Sequence, residues 1–312
     1  MADPGAAELL RELASGDRRP LARLLTRIES RPDDPELREL LPELFKAGHG
    51  AQVVGITGPP GSGKSTLVNA LTAEWRRRRR RVGILAFDPS SPYTGGAIMG
   101  DRIRMMDHAA DRDVFMRSMA SRGELGGLAA ATWLGAAALD AAGYDPIVIE
   151  TVGAGQSEVE IARLAETTVV VEVPDMGDEV QAIKAGLLEI ADVIAVNKGD
   201  RPGADRAARQ LRAMLSTAGG RVERKPPPVL LTTATSGDGV AALADAIEKH
   251  RATASQPDHA RARATNQLRR ALADLALQRA ITNGNWEATV QGIADRELDP
   301  ISAAETLLKS DR

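Results

Sequence analysis

Val53-Val54-Gly55-Ile56-Thr57-Gly58-Pro59-Pro60-Gly61-Ser62-Gly63-Lys64-Ser65-Thr66 is the stretch whose reading decides the fold. Val53–Thr57 is a β-branched run that reads as a strand, and Gly58–Ser65 fits G-x-x-x-x-G-K-[ST]. A helical pattern then runs from Thr66 to Trp75. Glycines let successive main-chain N–H groups turn inward around a phosphate without side-chain clashes. The helix that follows aims the positive end of its dipole at the same point. Lys64 is then expected to reach the β- and γ-phosphates of a nucleotide, and Ser65 to offer its hydroxyl to Mg²⁺. The bland alternative, a Gly-rich turn with an incidental lysine, does not account for the agreement of both flanks with the motif.

Working outward, further apolar runs at Val82–Phe87, Val114–Met116, Ile147–Glu150, Thr168–Val173, Val193–Asn197 and Val229–Thr232 read as strands. Most are continuous rather than alternating, as expected of strands covered on both faces. Helical patterns separate most of them, so the fold class is α/β with a doubly wound, mostly parallel sheet. Residues 1–50 read as an N-terminal helical extension, with Leu21, Leu24, Leu25 and Ile28 at helical spacing. Residues 51–250 carry the nucleotide-binding domain, and 251–312 show helix without strand. The run Arg76–Arg81 reads as a solvated helix end; an anionic partner surface is the other reading.

Asn197-Lys198-Gly199-Asp200 closes the strand at Val193. A carboxylate there can accept from guanine N1–H and the exocyclic amine, a pair of donors that adenine lacks, and an unpaired buried carboxylate is costly. Asn197 is expected to tie this loop to the phosphate loop, and the Lys198 stem to lie over the base. Thr233-Ala234-Thr235 follows the next strand, and its main-chain N–H groups could meet the guanine oxygen. The two motifs together specify guanine rather than adenine.

Three carboxylates fall where a sheet of this kind presents its carboxyl edge, the edge at which such sheets bind ligands. Asp88 and Glu150 end strands, and Asp101 lies in Gly100-Asp101-Arg102. Asp88 and Glu150 suit Mg²⁺ or its water shell, although Asp88 before Pro89 also suits a turn and Asp101 a helix cap. Gly153 could donate its N–H to a γ-phosphate, making 153–158 a nucleotide-sensing loop. Gln156 could orient the attacking water, or be an exposed loop residue.

Composition narrows the class further. The 312 residues carry a net charge of −3, with 43% apolar and 27% charged side chains, a soluble globular balance. That charge and 3% aromatics argue against a nucleic-acid binder. There is no cysteine, so disulfides, thiolate catalysis and thiolate-bound metal are excluded. The acidic start lacks a secretory pattern, and the weakly polar stretch from Gly126 to Gly143 is too short to span a bilayer. A cytoplasmic protein without membrane association is expected.

The chain resembles the MeaB/ArgK-type P-loop GTPases, which accompany adenosylcobalamin-dependent acyl-CoA mutases such as methylmalonyl-CoA mutase. The resemblance rests on Gly58–Thr66, Phe87-Asp88-Pro89-Ser90-Ser91-Pro92, the stretch Thr94–Met105, Glu150-Thr151-Val152-Gly153-Ala154-Gly155-Gln156-Ser157-Glu158 and Asn197–Asp200. It implies the signal-recognition/MinD branch of P-loop NTPases, GTP/GDP and Mg²⁺ as ligands, and Lys64, Asp88, Asp101 and Glu150 as functional residues. It also implies a homodimer through the C-terminal helices, and a second switch at Asp175–Lys184 that relays nucleotide state to the mutase. The implied role is to gate loading of adenosylcobalamin and removal of its damaged form, and to protect the mutase. A GTPase inserting metal into a nickel enzyme, an ATPase or kinase tied to amino-acid transport, and a binding module without hydrolysis remain as rivals. The missing cysteines speak against the first and Asp200 against the second.

Overall fold

The computed structural model describes residues 6–31, 34–89, 107–108, 110–121, 127–151, 164–174, 190–218, 226–254, 257–282 and 284–309. Among these, seven strands form one sheet: β1 (Val53–Thr57), β2 (Val82–Pro89), β3 (Val114–Ser121), β4 (Ile147–Thr151), β5 (Thr167–Glu172), β6 (Val193–Val196) and β7 (Val229–Leu231). Their order is β3-β2-β4-β1-β5-β6-β7, and every neighbouring pair is parallel. All seven strands expected from the sequence are present. The largest difference is β3, which runs on to Ser121. Polar Arg117 and Ser118 interrupt its apolar run, but Arg117 is neutralised by Glu29 at 2.8 Å and the strand stays in register with β2.

Successive strand residues feed opposite layers, as the period of two requires. Ile84 and Val148 join α4 (Lys64–Arg77) and α7 (Val240–Ala254) on one face. Leu85 and Ile149 join α5 (Gly127–Ala141) on the other, beneath α1 (Ala6–Ala14), α2 (Arg18–Ser30) and α3 (Pro35–Ala47). Helix α6 (Ala204–Ala218) covers β5–β7 on that second face. Buried Ala136, Ala137 and Ala138 explain the weakly polar stretch: α5 lies between the sheet and an outer helical layer, and small residues let both approach. Gly135 shows the tightness, since a Cβ there would stand 3.0 Å from Leu85 and 3.4 Å from Leu25.

The arginine run departs from a solvated helix end. Arg76 pairs with Asp111 at 2.7 Å and Asp113 at 2.6 Å. Arg78 pairs with Glu74, Asp245 and Glu248, and Arg80 with Asp145. Arg81 lies 4.5 Å from the Tyr144 ring centre. The Arg76 hydrogen bond holds the Asp111 carboxyl below the usual range and raises Arg76 in return. Only Arg77 and Arg79 stay largely in water. Apart from Glu74 in the same helix, the neutralising acids come from distant stretches, so the run alone could not show them.

The chain divides into two compact units, Met1–Ser255 and Gln256–Arg312. The second consists of α8 (Pro257–Thr282), α9 (Trp286–Ala294) and α10 (Pro300–Lys309), which pack on one another. Among its described residues only Ala280, Ala303 and Leu307 are buried apolar side chains, while Leu268, Leu272, Val290, Leu298, Ile301 and Leu308 are exposed. No helix among the described residues is long and apolar enough to cross a membrane.

Candidate nucleotide site

The Gly58 loop leaves β1 in the interior of the sheet, with β4 on one side and β5 on the other. Its main chain takes the left-handed values that glycine tolerates, φ 74° at Gly61 and 86° at Gly63. Space forbids side chains as firmly as torsion does. A Cβ on Gly58 would collide with Val171 O, and one on Gly63 would stand 2.6 Å from Asn197 Nδ2. Helix α4 starts at Lys64 without a side-chain cap, so its first N–H groups are left for a ligand.

Lys64 is buried and donates to the carbonyls of Gly58 at 2.7 Å and Pro59 at 3.1 Å. It therefore folds back over the loop it is expected to serve. Ser65 donates its hydroxyl to Glu150 Oε1 at 2.5 Å. Glu150 is buried at the end of β4, opposite Ile56 of β1. This brings two of the expected metal-site residues together from positions 85 apart. Asp88 lies in β2 beside Ala120, and its side chain is outside the described residues. Asp101, Gly153 and Gln156, and the stretch Asp175–Lys184, also lie outside them.

Asn197 is the hinge pin of the site. Its Nδ2 donates to Ser62 O at 2.9 Å, and its Oδ1 accepts from Ala234 N–H at 3.1 Å. The expected tie between base loop and phosphate loop is thus present, extended to a third loop. Lys198, at φ 57°, donates to Gly61 O at 2.7 Å and adds a second strut. Asp200 is exposed in the turn closed by Arg201 N–H on Lys198 O at 3.0 Å. Thr233, Ala234 and Thr235 follow β7, and Thr233 N–H is held by Asp238 O at 2.9 Å. The Ala234 N–H, expected to meet guanine, is here engaged by Asn197.

One residue at the site, Thr232, escaped the sequence reading, and one expected in the phosphate loop, Ser62, is buried. Ser62 is fully buried, and its hydroxyl has no hydrogen bond among the described residues. Thr232 is buried and reaches Asn197 Oδ1 at 3.4 Å. A threonine closing an apolar strand before the Thr233 loop was the available signal for Thr232. Nothing local marks Ser62 as buried.

A glycine-rich phosphate loop braced by N-K-x-D on a parallel sheet defines a P-loop GTPase. The model of the family described as methylmalonyl-CoA mutase-associated GTPase MeaB matches residues 21–288, and the chain belongs to that family. A protein of Pyrococcus abyssi with a provisional GTPase name is 42% identical over 311 residues, covering 97% of this chain and 95% of the relative. The mitochondrial methylmalonic aciduria type A homolog of Mus musculus is 35% identical over 199 residues, covering 63% of this chain and 48% of the relative. A crystal structure of a LAO/AO transport system kinase superposes with a TM-score of 0.74 at 26% identity, covering 99% of this chain and 98% of that one.

Proposed function

We propose that this GTPase acts in the cytoplasm on an adenosylcobalamin-dependent acyl-CoA mutase of the methylmalonyl-CoA type, gating cofactor loading and protecting or reactivating the enzyme. The match to a family named for its association with methylmalonyl-CoA mutase carries this reading.

At the site, the glycine-loop amides hold the β-phosphate, and Lys64 exchanges the Gly58 and Pro59 carbonyls for the β- and γ-phosphates. Asp200 accepts from the guanine edge, while Asn197 and Lys198 keep base loop and phosphate loop at fixed separation. The Ser65 hydroxyl and Glu150 carboxylate are hard oxygen donors 2.5 Å apart, which suits Mg²⁺. Bound there, the ion would offset charge developing on the phosphoryl oxygens. Asp88 and Asp101 complete the proposed metal set, and Gly153 and Gln156 the proposed γ-phosphate and water contacts. The C-terminal unit is proposed as a homodimerisation arm. Its few buried and many exposed apolar side chains support this, because such a surface is costly to leave in water.

The nucleotide motifs themselves contain no arginine finger, so intrinsic turnover should be slow. Adding purified mutase should raise GTP hydrolysis at least about tenfold by ordering the switch loops. An unchanged rate with a mutase that binds its cofactor normally would overturn the coupling. Light scattering of the full chain showing a monomer at micromolar concentration would overturn the dimer.

A further inference from the structure

Gly199 is the variable position of N-K-x-D, and the structure gives it work. Its N–H donates to Thr232 O at 2.9 Å, so the Asp200 turn lies directly against the end of β7. A Cβ at 199 would stand 3.2 Å from Thr232 O and 3.3 Å from Thr233 Oγ1. Either separation is tighter than ordinary van der Waals contact, so one side must yield.

The pattern of main-chain bonds decides which side. Thr232 is buried, and its N–H donates to Val196 O at 2.9 Å. Thr233 is pinned by Asp238 O on its N–H and by the N–H of Gly237 on its carbonyl, each at 2.9 Å. On the opposite side Lys198 is anchored to the phosphate loop. What remains is the exposed Asp200, held by a single turn bond, and Gly199, whose own main-chain bond runs to the crowded Thr232 O. The strand end is fixed and the aspartate moves.

We propose that Gly199, packed against Thr232 and Thr233, is a positioning residue for base selectivity: the missing Cβ lets the two base loops close far enough for Asp200 to meet both guanine donors. This rests on the guanine-binding reading above. A displaced carboxylate loses the exocyclic amine first, since two hydrogen bonds to one planar edge demand alignment that one bond does not. Phosphate recognition runs through Gly58–Ser65 and is untouched.

The test compares GTP, inosine triphosphate (which lacks the exocyclic amine) and tripolyphosphate as ligands of the full chain. Gly199→Ala should weaken GTP roughly fivefold, the scale of one modest hydrogen bond, with inosine triphosphate and tripolyphosphate nearly unchanged. The GTP-to-inosine preference should fall by the same factor. Gly199→Ala/Thr233→Ala should recover part of it, because one of the two crowded atoms is gone. An unchanged preference in Gly199→Ala, no recovery in the double variant, or equal loss for all three ligands would overturn the inference. So would a Gly199→Ala chain that does not fold, because the exposed turn is held to absorb the shift. If the wild type does not distinguish GTP from inosine triphosphate, the guanine reading itself fails; a wild-type preference that survives Gly199→Ala removes only this role.

Discussion

At the amino ends of the strands Asp145 takes Arg80 at 3.0 Å, Arg251 at 2.9 Å and the Gln52 N–H at 3.1 Å, whereas at the carboxyl ends Lys64 rests on two carbonyls of its own loop. Asp145 is joined there by His250, which sits between Thr167 Oγ1 at 2.9 Å and Asp192 at 3.3 Å, so α7 is locked to β5 and to the start of β6. The same strands supply both edges. One edge satisfies its charges internally, and the other holds a lysine, helix N–H groups and a hydroxyl–carboxylate pair in arrangements that a phosphate and a metal ion can take over. Closed charge pairs and the proposed ligand groups are thus separated along the strand axis, in keeping with open α/β sheets, which bind ligands at their carboxyl ends.

Three substitutions would break or sharpen that contrast. Lys64→Ala should have the largest effect, lowering GTP turnover by roughly 10²–10³-fold, the scale of losing one preorganised electrostatic contact. Its thermal midpoint should move less than that of any amino-edge variant. A large midpoint loss without an activity loss would invert the assignment of the edges. Asp145→Ala should cost about 1–2 kcal/mol, since it removes the carboxylate shared by two partly exposed guanidinium groups and leaves the Gln52 N–H without its acceptor. Calorimetry should show the midpoint falling by several degrees, while turnover per folded molecule stays unchanged. Turnover that falls in step would show the edges to be coupled. Ser62→Ala should have the smallest effect, neutral or stabilising by up to about 1 kcal/mol, because it removes a buried hydroxyl. Denaturant titration showing destabilisation beyond that would reveal a partner for the hydroxyl.

Much of this was readable in advance because it is local. Gly58–Ser65 fixes its own conformation through glycine torsions and a helix start, so spacing along the chain is enough to recognise it. The strands carry their signal as short apolar runs, and β3 was cut shortest, where Arg117 masked it. The Asn197 tie was also foreseeable, since an amide after a strand end has few other tasks beside a phosphate loop. The arginine run was harder. Six like charges in a row say nothing about Asp111, Asp113, Asp145 and Asp245, which reach them only after the strands are ordered. Gly199 belongs with these. A glycine in a four-residue motif looks interchangeable until Thr232 O and Thr233 Oγ1 are found beside it.

The sequence by itself determined the guanine-nucleotide chemistry and the α/β class, because both are written in residues that act within one turn or one strand. Tertiary structure alone decided that Glu150 meets Ser65, that Asn197 joins three loops, that α5 is small-sided because it is covered twice, and that the basic run is neutralised. The physical reason is the strand order: placing β1 between β4 and β5 brings residues 85 and 135 positions apart into hydrogen-bonding distance. No local preference encodes that adjacency; it arises only when the whole apolar surface of the sheet is buried at once.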